Sequence, residues 1–347
     1  MLTLMRDIHV AGTWSLPITI AAFAAATVVI AFAGSRLART VDRLADRTGL
    51  GEAVAGAVLL GSSTSLAGLM VSVVAAAANE PSVAISNSIG GIAVQTAFIV
   101  ALDVTHRDAN LERASASLTN VFNALLMVTL LGVVLLGVTM PPATLFGVHP
   151  ASLLLIVVYG YGLRLSRSIS TAPMWHPEKT EDDRIDEPDE PEAGETLGGL
   201  WRQFGALAAT TAAAGWVVGQ SGLSLIEATG LSGTFVAVAF TAVATSLPEL
   251  ITGIAAVRAG ALTLAVGGII GGNTFDTLFI AVSDVVYQDG SLYEQVVASD
   301  LFVLGWTMLL TGILGAGLIR RQRAWIGFEG FAILGGYIGG LVILSQM

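Results

Sequence analysis

The feature that most constrains this chain is the spacing of its long apolar runs. Five occur near residues 16–37, 54–78, 83–104, 118–138 and, shorter, 150–163; five more follow near 200–218, 235–257, 261–286, 301–318 and 325–344. A helix crosses a bilayer with ~20 predominantly apolar residues, so the pattern predicts ten crossings in two sets of five. The expected fold is therefore all-α: a polytopic membrane protein of ten transmembrane helices arranged as two inverted five-helix repeats. Composition agrees, since 54% of the residues are hydrophobic, only 12% are charged and the mean hydropathy is +0.77; water is not the main solvent for such a chain. The first run follows a single basic residue, Arg6, and ends without a small-x-small cleavage pattern, so it is expected to be a retained span and not a signal peptide.

The polar interruption between the two sets is acidic. Residues 171–199 carry ten acids against Lys179 and Arg184, and are punctuated by Pro173, Pro177, Pro188 and Pro191. This reads as a solvated linker, and acids scattered without ligand spacing do not specify a cation site. The predicted organisation is a first five-helix unit over 1–165, a linker over 166–199 and a second unit over 200–347. A formal charge of -10 excludes nucleic acid as an expected partner, because nucleic acids select basic surfaces; the expected partners are the lipid bilayer and transported cations. Without cysteine there is no thiolate metal site. His9, His106, His149 and His176 all lie between or outside the apolar runs, which argues against a buried histidine site, and no cofactor is expected.

With ten alternating spans, fifteen of the sixteen basic residues fall on one face and only Arg6 on the other. By the positive-inside rule that face is cytoplasmic. Both termini then point outward and the acidic linker lies in the cytoplasm of a cell with this protein in its inner membrane.

The two sets are related in sequence. A gap-free shift of 181 residues places Ala33-Gly34 on Ala214-Gly215, Thr48-Gly49-Leu50 on Thr229-Gly230-Leu231, and Thr64-Ser65-Leu66 on Thr245-Ser246-Leu247. The register continues through Ile89-Gly90-Gly91 on Ile270-Gly271-Gly272, Thr96 on Thr277, Phe98-Ile99 on Phe279-Ile280 and Asp103 on Asp284. Five spans per copy is an odd number, so the second copy enters the membrane inverted, an architecture of secondary transporters with a midplane site.

Chemistry is concentrated in the second and third spans of each half. Glu249 and Asp276 sit in mid-span, where an ionised carboxylate needs a cavity, a cation or a proton. Pro248 removes a backbone donor and frees a carbonyl of the preceding turn near Thr245. The hydroxyls of Thr64, Ser65, Thr245 and Ser246 recur at matching positions, as ligands or as ordinary bonds back to their own helices. Gly90-Gly91 and Gly271-Gly272 suit either close helix packing or a helix break beside an ion.

Thr245-Ser246-Leu247-Pro248-Glu249, followed by the Gly-rich stretch ending in Asn273-Thr274-Phe275-Asp276, resembles the second alpha-repeat of the calcium/cation antiporter superfamily, whose pattern is G-T-S-L-P-E and then G-N-x-x-G-S-N-x-x-N/D. The likeness spans both repeats, at 61–104 and 242–285. It implies a sodium/calcium-exchanger-type antiporter that moves Ca2+ or another cation against Na+ or H+, with Glu249, Asp276, Thr245 and Ser246 as ligands in the second repeat and Thr64 and Ser65 in the first. Asn273 keeps the family asparagine, and Gln95 is the neutral mate of Asp276.

Departures from the pattern narrow the expectation. The first-repeat Pro-Glu is Ala67-Gly68, so one central carboxylate is absent; Gly91 and Gly272 replace the serine; Ile92 and Ala244 also differ. The predicted cavity holds two carboxylates, both from one half, which weakens the case for tight calcium binding and admits a pair sharing a proton. A glutamate at Gly68 is expected to enter the same cavity. Competing readings are a monovalent cation/proton antiporter and a non-transporting binding subunit. An intramembrane serine enzyme at Gly61-Ser62-Ser63-Thr64 lacks a histidine within a span to activate it. Glu80, Asp103, Asp284 and Glu329 are expected to serve interfaces or caps.

Overall fold

The computed structural model describes residues 14–48, 61–105, 111, 115–145, 147–175, 196–320 and 326–347. Its helices in chain order are α1 (Leu16–Thr48), α2a (Gly61–Thr64) and α2b (Leu66–Ala77), α3 (Pro81–Thr105), α4 (Leu118–Thr139), α5 (Pro150–Thr171) and α6 (Leu197–Thr229). Then come α7a (Gly233–Thr245) and α7b (Leu247–Ala259), α8a (Leu262–Asp276) and α8b (Leu278–Val286), α9 (Ala298–Ile319) and α10 (Phe328–Leu344). The protein is nearly all helical, as its sequence predicts. Six helices are long and apolar enough to cross a membrane, and α7a with α7b passes as a bent pair at 44°. The parts of the acidic linker at 176–195, and the start of the second predicted span, lie outside the described residues. Helix α5 runs on to Thr171 and α6 begins at Leu197, so both helices reach into the segment expected to be linker.

Burial sorts the helices. The most apolar window of α3 is 94% buried and that of α8 72%, whereas those of α1 and α5 are 22% buried; α3 and α8 therefore form the centre, and α1 and α5 face lipid with side chains such as Phe32 and Val157. The two halves repeat one another's packing. Helix α6 lies on α2b and α1 on α7b; α4 packs on α5 and α9 on α10; α9 lies on α3 and α4 on α8.

This symmetry reaches single residues. A methyl on Gly34 would sit 2.5 Å from Pro248 Cγ, and one on Gly215 would sit 2.6 Å from the Ala67 carbonyl oxygen; both the glycines and their partners are 181 positions apart. The tight turns before α3 and α8 also match, with left-handed Asn79 (φ 63°) and Gly260 (φ 83°). Backbone has little room to yield, so Gly215→Ala is expected to lower the unfolding temperature of the detergent-purified protein by several degrees. Gly271→Ala, whose added methyl meets nothing within 4 Å, should leave it within a degree or two. Equal melting curves would show that the α6–α2b crossing is looser than described.

Candidate functional site

Helix breaks make the site. Both α2 and α7 break at equivalent serines, Ser65 and Ser246, where the backbone leaves helical continuity for one residue. In α7 the cause is legible: Pro248 has no N–H, so the Ala244 carbonyl loses its helical donor, and a π-turn at Ala237–Thr241 precedes it. Helix α8 breaks at Thr277, while α3 continues past the equivalent Thr96. The difference has a source one helix away. Ser88 Oγ donates to the Asp276 carbonyl at 2.6 Å, and the Ile280 N–H turns to Thr277 O at 3.3 Å. The position matching Ser88 in the second half is Ile269, which has no hydroxyl with which to capture the Gln95 carbonyl, so α3 stays whole.

Between these breaks lies a small enclosed cavity lined by Ser65, Gly68, Asn87, Gly91, Gln95, Thr245, Ser246, Glu249, Asp276 and Phe279. It has room for roughly one water-sized occupant. Gln95 Nε2 donates to Asp276 Oδ2 at 2.9 Å and to Ser246 Oγ at 3.2 Å, so the two repeat-equivalent side chains meet at the axis relating the halves. The hydroxyls of Thr64 and Ser65 approach the Glu249 carboxylate from the first half. Among the described residues of the lining, both carboxylate oxygens of Glu249, Asp276 Oδ1, Gln95 Oε1 and Ser65 Oγ are buried without a hydrogen-bond partner. Buried polar atoms are ordinarily paired, and a bare buried carboxylate costs several kcal/mol. Several hard oxygens left open around one small space make a coordination environment for a cation, with no metal-binding sulfur or imidazole in it.

Six of the eight side chains singled out in the sequence line the cavity: Glu249, Asp276, Thr245, Ser246, Ser65 and Gln95. Thr64 and Asn273 do not. Thr64 Oγ1 donates to Gly61 O at 3.2 Å, and Asn273 turns its amide to Thr96 Oγ1 at 3.5 Å. Thr245 lines the cavity, yet its hydroxyl proton goes back to Thr241 O at 2.9 Å, leaving only its lone pairs for an ion. The glycine pairs divide their labour. Gly90 lets Val238 approach, whereas Gly91 and Gly272 stand 3.8 Å, as added methyls, from Asp276 Oδ2 and Gln95 Oε1; none of the four is at a helix break.

Two lining residues were not read from the sequence. Asn87 donates to Gly68 O and to Ser72 Oγ, both at 3.0 Å, and accepts from Thr241 Oγ1 at 2.8 Å, tying α3 to both broken helices. The polar triplet Ser86-Asn87-Ser88 inside an apolar run was the available signal. Phe279 is the other, and it bears on the expectation for position 68. Gly68 does line the cavity, but a methyl there would lie 3.0 Å from Phe279 Cε2, so a glutamate side chain at 68 meets an aromatic ring before it meets an ion.

The remaining acids serve loops and helix ends. Asp284 accepts from His149 N, Ser152 Oγ, Ser291 Oγ and Leu292 N at 2.8–3.2 Å, and its repeat mate Asp103 accepts from Leu111 N at 2.9 Å. Glu80 is exposed at its turn, and Glu329 is buried in the first turn of α10. His149 lies between spans as read, is buried, and caps α5 by accepting from Ala151 N at 3.1 Å.

Comparison with known proteins extends over nearly the whole chain. A family model described as sodium/calcium exchanger protein matches residues 18–166 and 199–346. A curated relative, inner membrane protein YrbG of Escherichia coli (strain K12), is 36% identical over 104 residues, a match covering 30% of this chain and 31% of that protein, so the likeness spans about a third of the relative's length. Among solved structures, the H+/Ca2+ exchanger CAX superposes with a TM-score of 0.68 at 14% identity over 94% of this chain and 85% of that one. Native YfkE gives 0.60 at 16% identity over all of both chains, and the sodium-calcium exchanger NCX_Mj 0.58 at 16% over 94% and 98%. At such identities these structures bear on the fold.

Proposed function

The chain belongs to the sodium/calcium exchanger protein family, and on that premise we propose that it is a secondary active cation antiporter that moves Ca2+ or another metal cation against Na+ or H+ through the Glu249–Asp276 cavity. The observation that carries this reading is the set of open buried oxygens: Glu249 Oε1 and Oε2, Asp276 Oδ1, Gln95 Oε1 and Ser65 Oγ, drawn from both halves into one space. A cation supplies the positive charge that two buried carboxylates otherwise lack, and departs when sodium or protons take its place.

The inverted repeat supports the transport step. Helices broken at Ser65 and Ser246 enter from opposite sides, so rocking one set of helices against the other opens the cavity alternately to each face. In this reading residues 1–165 and 200–347 are the two repeats, joined by a cytoplasmic linker over 166–199, with both termini outside the cell membrane. The relatives named above for H+/Ca2+ and sodium-calcium exchange frame the choice of ions.

The test is flux in proteoliposomes with one gradient imposed at a time. Uptake of Ca2+ driven by an outward sodium or proton gradient, and absent without one, is the expected result. If protons are the counter-ion, lowering the pH on the cation side should weaken uptake, because protons and the cation compete for the same oxygens. Saturable cation binding with no flux under any gradient would favour the non-transporting binding subunit.

A further inference from the structure

The cavity wall beside Gly68 is aromatic, at the position where the resembled pattern has its first-repeat carboxylate. A methyl on Gly68 would lie 3.0 Å from Cε2 and 3.7 Å from Cζ of Phe279, and 3.5 Å from Thr245 Oγ1. Phe279 is 3% exposed and is held by an edge-on contact with Phe275, ring centroids 6.1 Å apart. The helix that carries it, α8b, packs along α2b. Its placement depends on the break at Thr277, which the Ser88 hydroxyl secures through the Asp276 carbonyl; the repeat mate Phe98 follows no such break. A ring thus occupies the space that the loss of a side chain at position 68 leaves.

We propose that Phe279 is a specificity-determining residue of this site: its ring fills the volume beside Gly68 in the cavity wall, so that the cavity admits one small, dehydrated cation and excludes larger cations or a second ion. This rests on the reading of Glu249 and Asp276 as the transport site. The physical argument is one of volume. Close-packed interiors yield little, and an aromatic face offers no oxygen to replace a water of hydration. With room for roughly one water-sized occupant, selectivity among ions of equal charge follows size. Removing the ring enlarges the cavity beside Gly68, which keeps the charge of the site and changes only its shape.

The experiment measures cation-dependent thermal stabilisation and proteoliposome uptake across two series of fixed charge, Mg2+, Ca2+, Sr2+, Ba2+ and Li+, Na+, K+, for the parent, Phe279→Ala and Phe279→Leu. The parent should favour the smaller members, and Phe279→Ala should raise the relative affinity for Ba2+ or K+ by at least tenfold, with Phe279→Leu in between. Gly68→Glu alone should bring no gain in Ca2+ affinity, whereas Gly68→Glu with Phe279→Ala should. An unchanged size series in a folded Phe279→Ala or Phe279→Leu protein overturns the proposal. Should Phe279→Ala not fold, Phe279→Leu decides. Failure of the underlying site reading has a separate signature: Glu249→Gln would then keep the parent's cation dependence, whatever Phe279 does.

Discussion

Glu249→Gln and Asp276→Asn are each expected to abolish cation-coupled flux in proteoliposomes, while the protein is still extracted, purified and melted as a folded species. An amide is cheaper to bury than an unpaired carboxylate, so neither change should cost stability. Either one removes a full charge from a cavity in which an ion has few other charged oxygens. Breaking a buried charge interaction costs about 3–5 kcal/mol, or roughly two to four orders of magnitude in affinity. The two variants should not be additive, since both carboxylates face one cavity and act on one ion. Asp276→Asn has a second consequence. Gln95 Nε2 already donates to Asp276 Oδ2, and an asparagine can keep that bond only by pointing its own oxygen at Gln95, which turns an N–H toward the ion and repels it. Normal flux in both single variants would remove the two carboxylates from the transport site.

The plan of the fold was legible because the determinants are local or periodic. Apolar runs of bilayer length, basic residues confined to alternate connections and a gap-free register of 181 residues each follow from the chain read in order, and the packing of α6 on α2b against α1 on α7b repeats that register in space. Glu249 and Asp276 stood out because mid-span carboxylates are expensive. What escaped depends on side chains meeting across the repeats. The register paired Phe279 with Phe98 as equals, yet Ser88 against Ile269 breaks one helix and not the other. Thr64 and Asn273 matched a motif, but that neither lines the cavity, Thr64 Oγ1 also bonding Gly61 O and the Asn273 amide turning to Thr96, is a fact of geometry. Asp300 stands just before the apolar run at 301–318 and was not singled out, because its partners Ser82 and Ser86 are 218 and 214 residues away.

Asp300 carries the second large effect. Its carboxylate accepts from Ser82 Oγ at 2.9 Å, Ser86 Oγ at 2.8 Å, Thr234 Oγ1 at 2.7 Å and Val297 N at 3.2 Å. These donors lie in the first turns of α3 and α7a and just before α9, so the anion sits where three helix N-termini converge, the end at which negative charge is favoured. The corresponding place at the other end of the bundle is held by neutral Asn120, whose amide donates to Ser115 O at 3.1 Å and to Thr263 O at only 3.5 Å; Thr263 is the repeat mate of Ser82. Among the described residues, one end of the helices that bear the cavity therefore carries a charge-assisted cluster on Asp300, and the amide of Asn120 serves at the other end. Asp300→Ala takes the acceptor from the buried hydroxyls of Ser86 and Thr234 and from the part-buried Ser82 hydroxyl and Val297 N–H, at about 1–3 kcal/mol for each buried group that finds no substitute, so the loss should be at least ~2 kcal/mol. Asn120→Ala should cost less than half as much, and Asp300→Asn should fall between, because it keeps one acceptor oxygen but loses the charge. Thermal unfolding of the purified proteins in one detergent checks the order. On the proposed transport reading, a cysteine introduced at the α3–α7a end should become more accessible in Asp300→Ala and stay unchanged in Asn120→Ala. Equal melting temperatures and equal accessibility for the two alanine variants would mean that the three N-termini hold together by apolar packing, with the carboxylate a bystander.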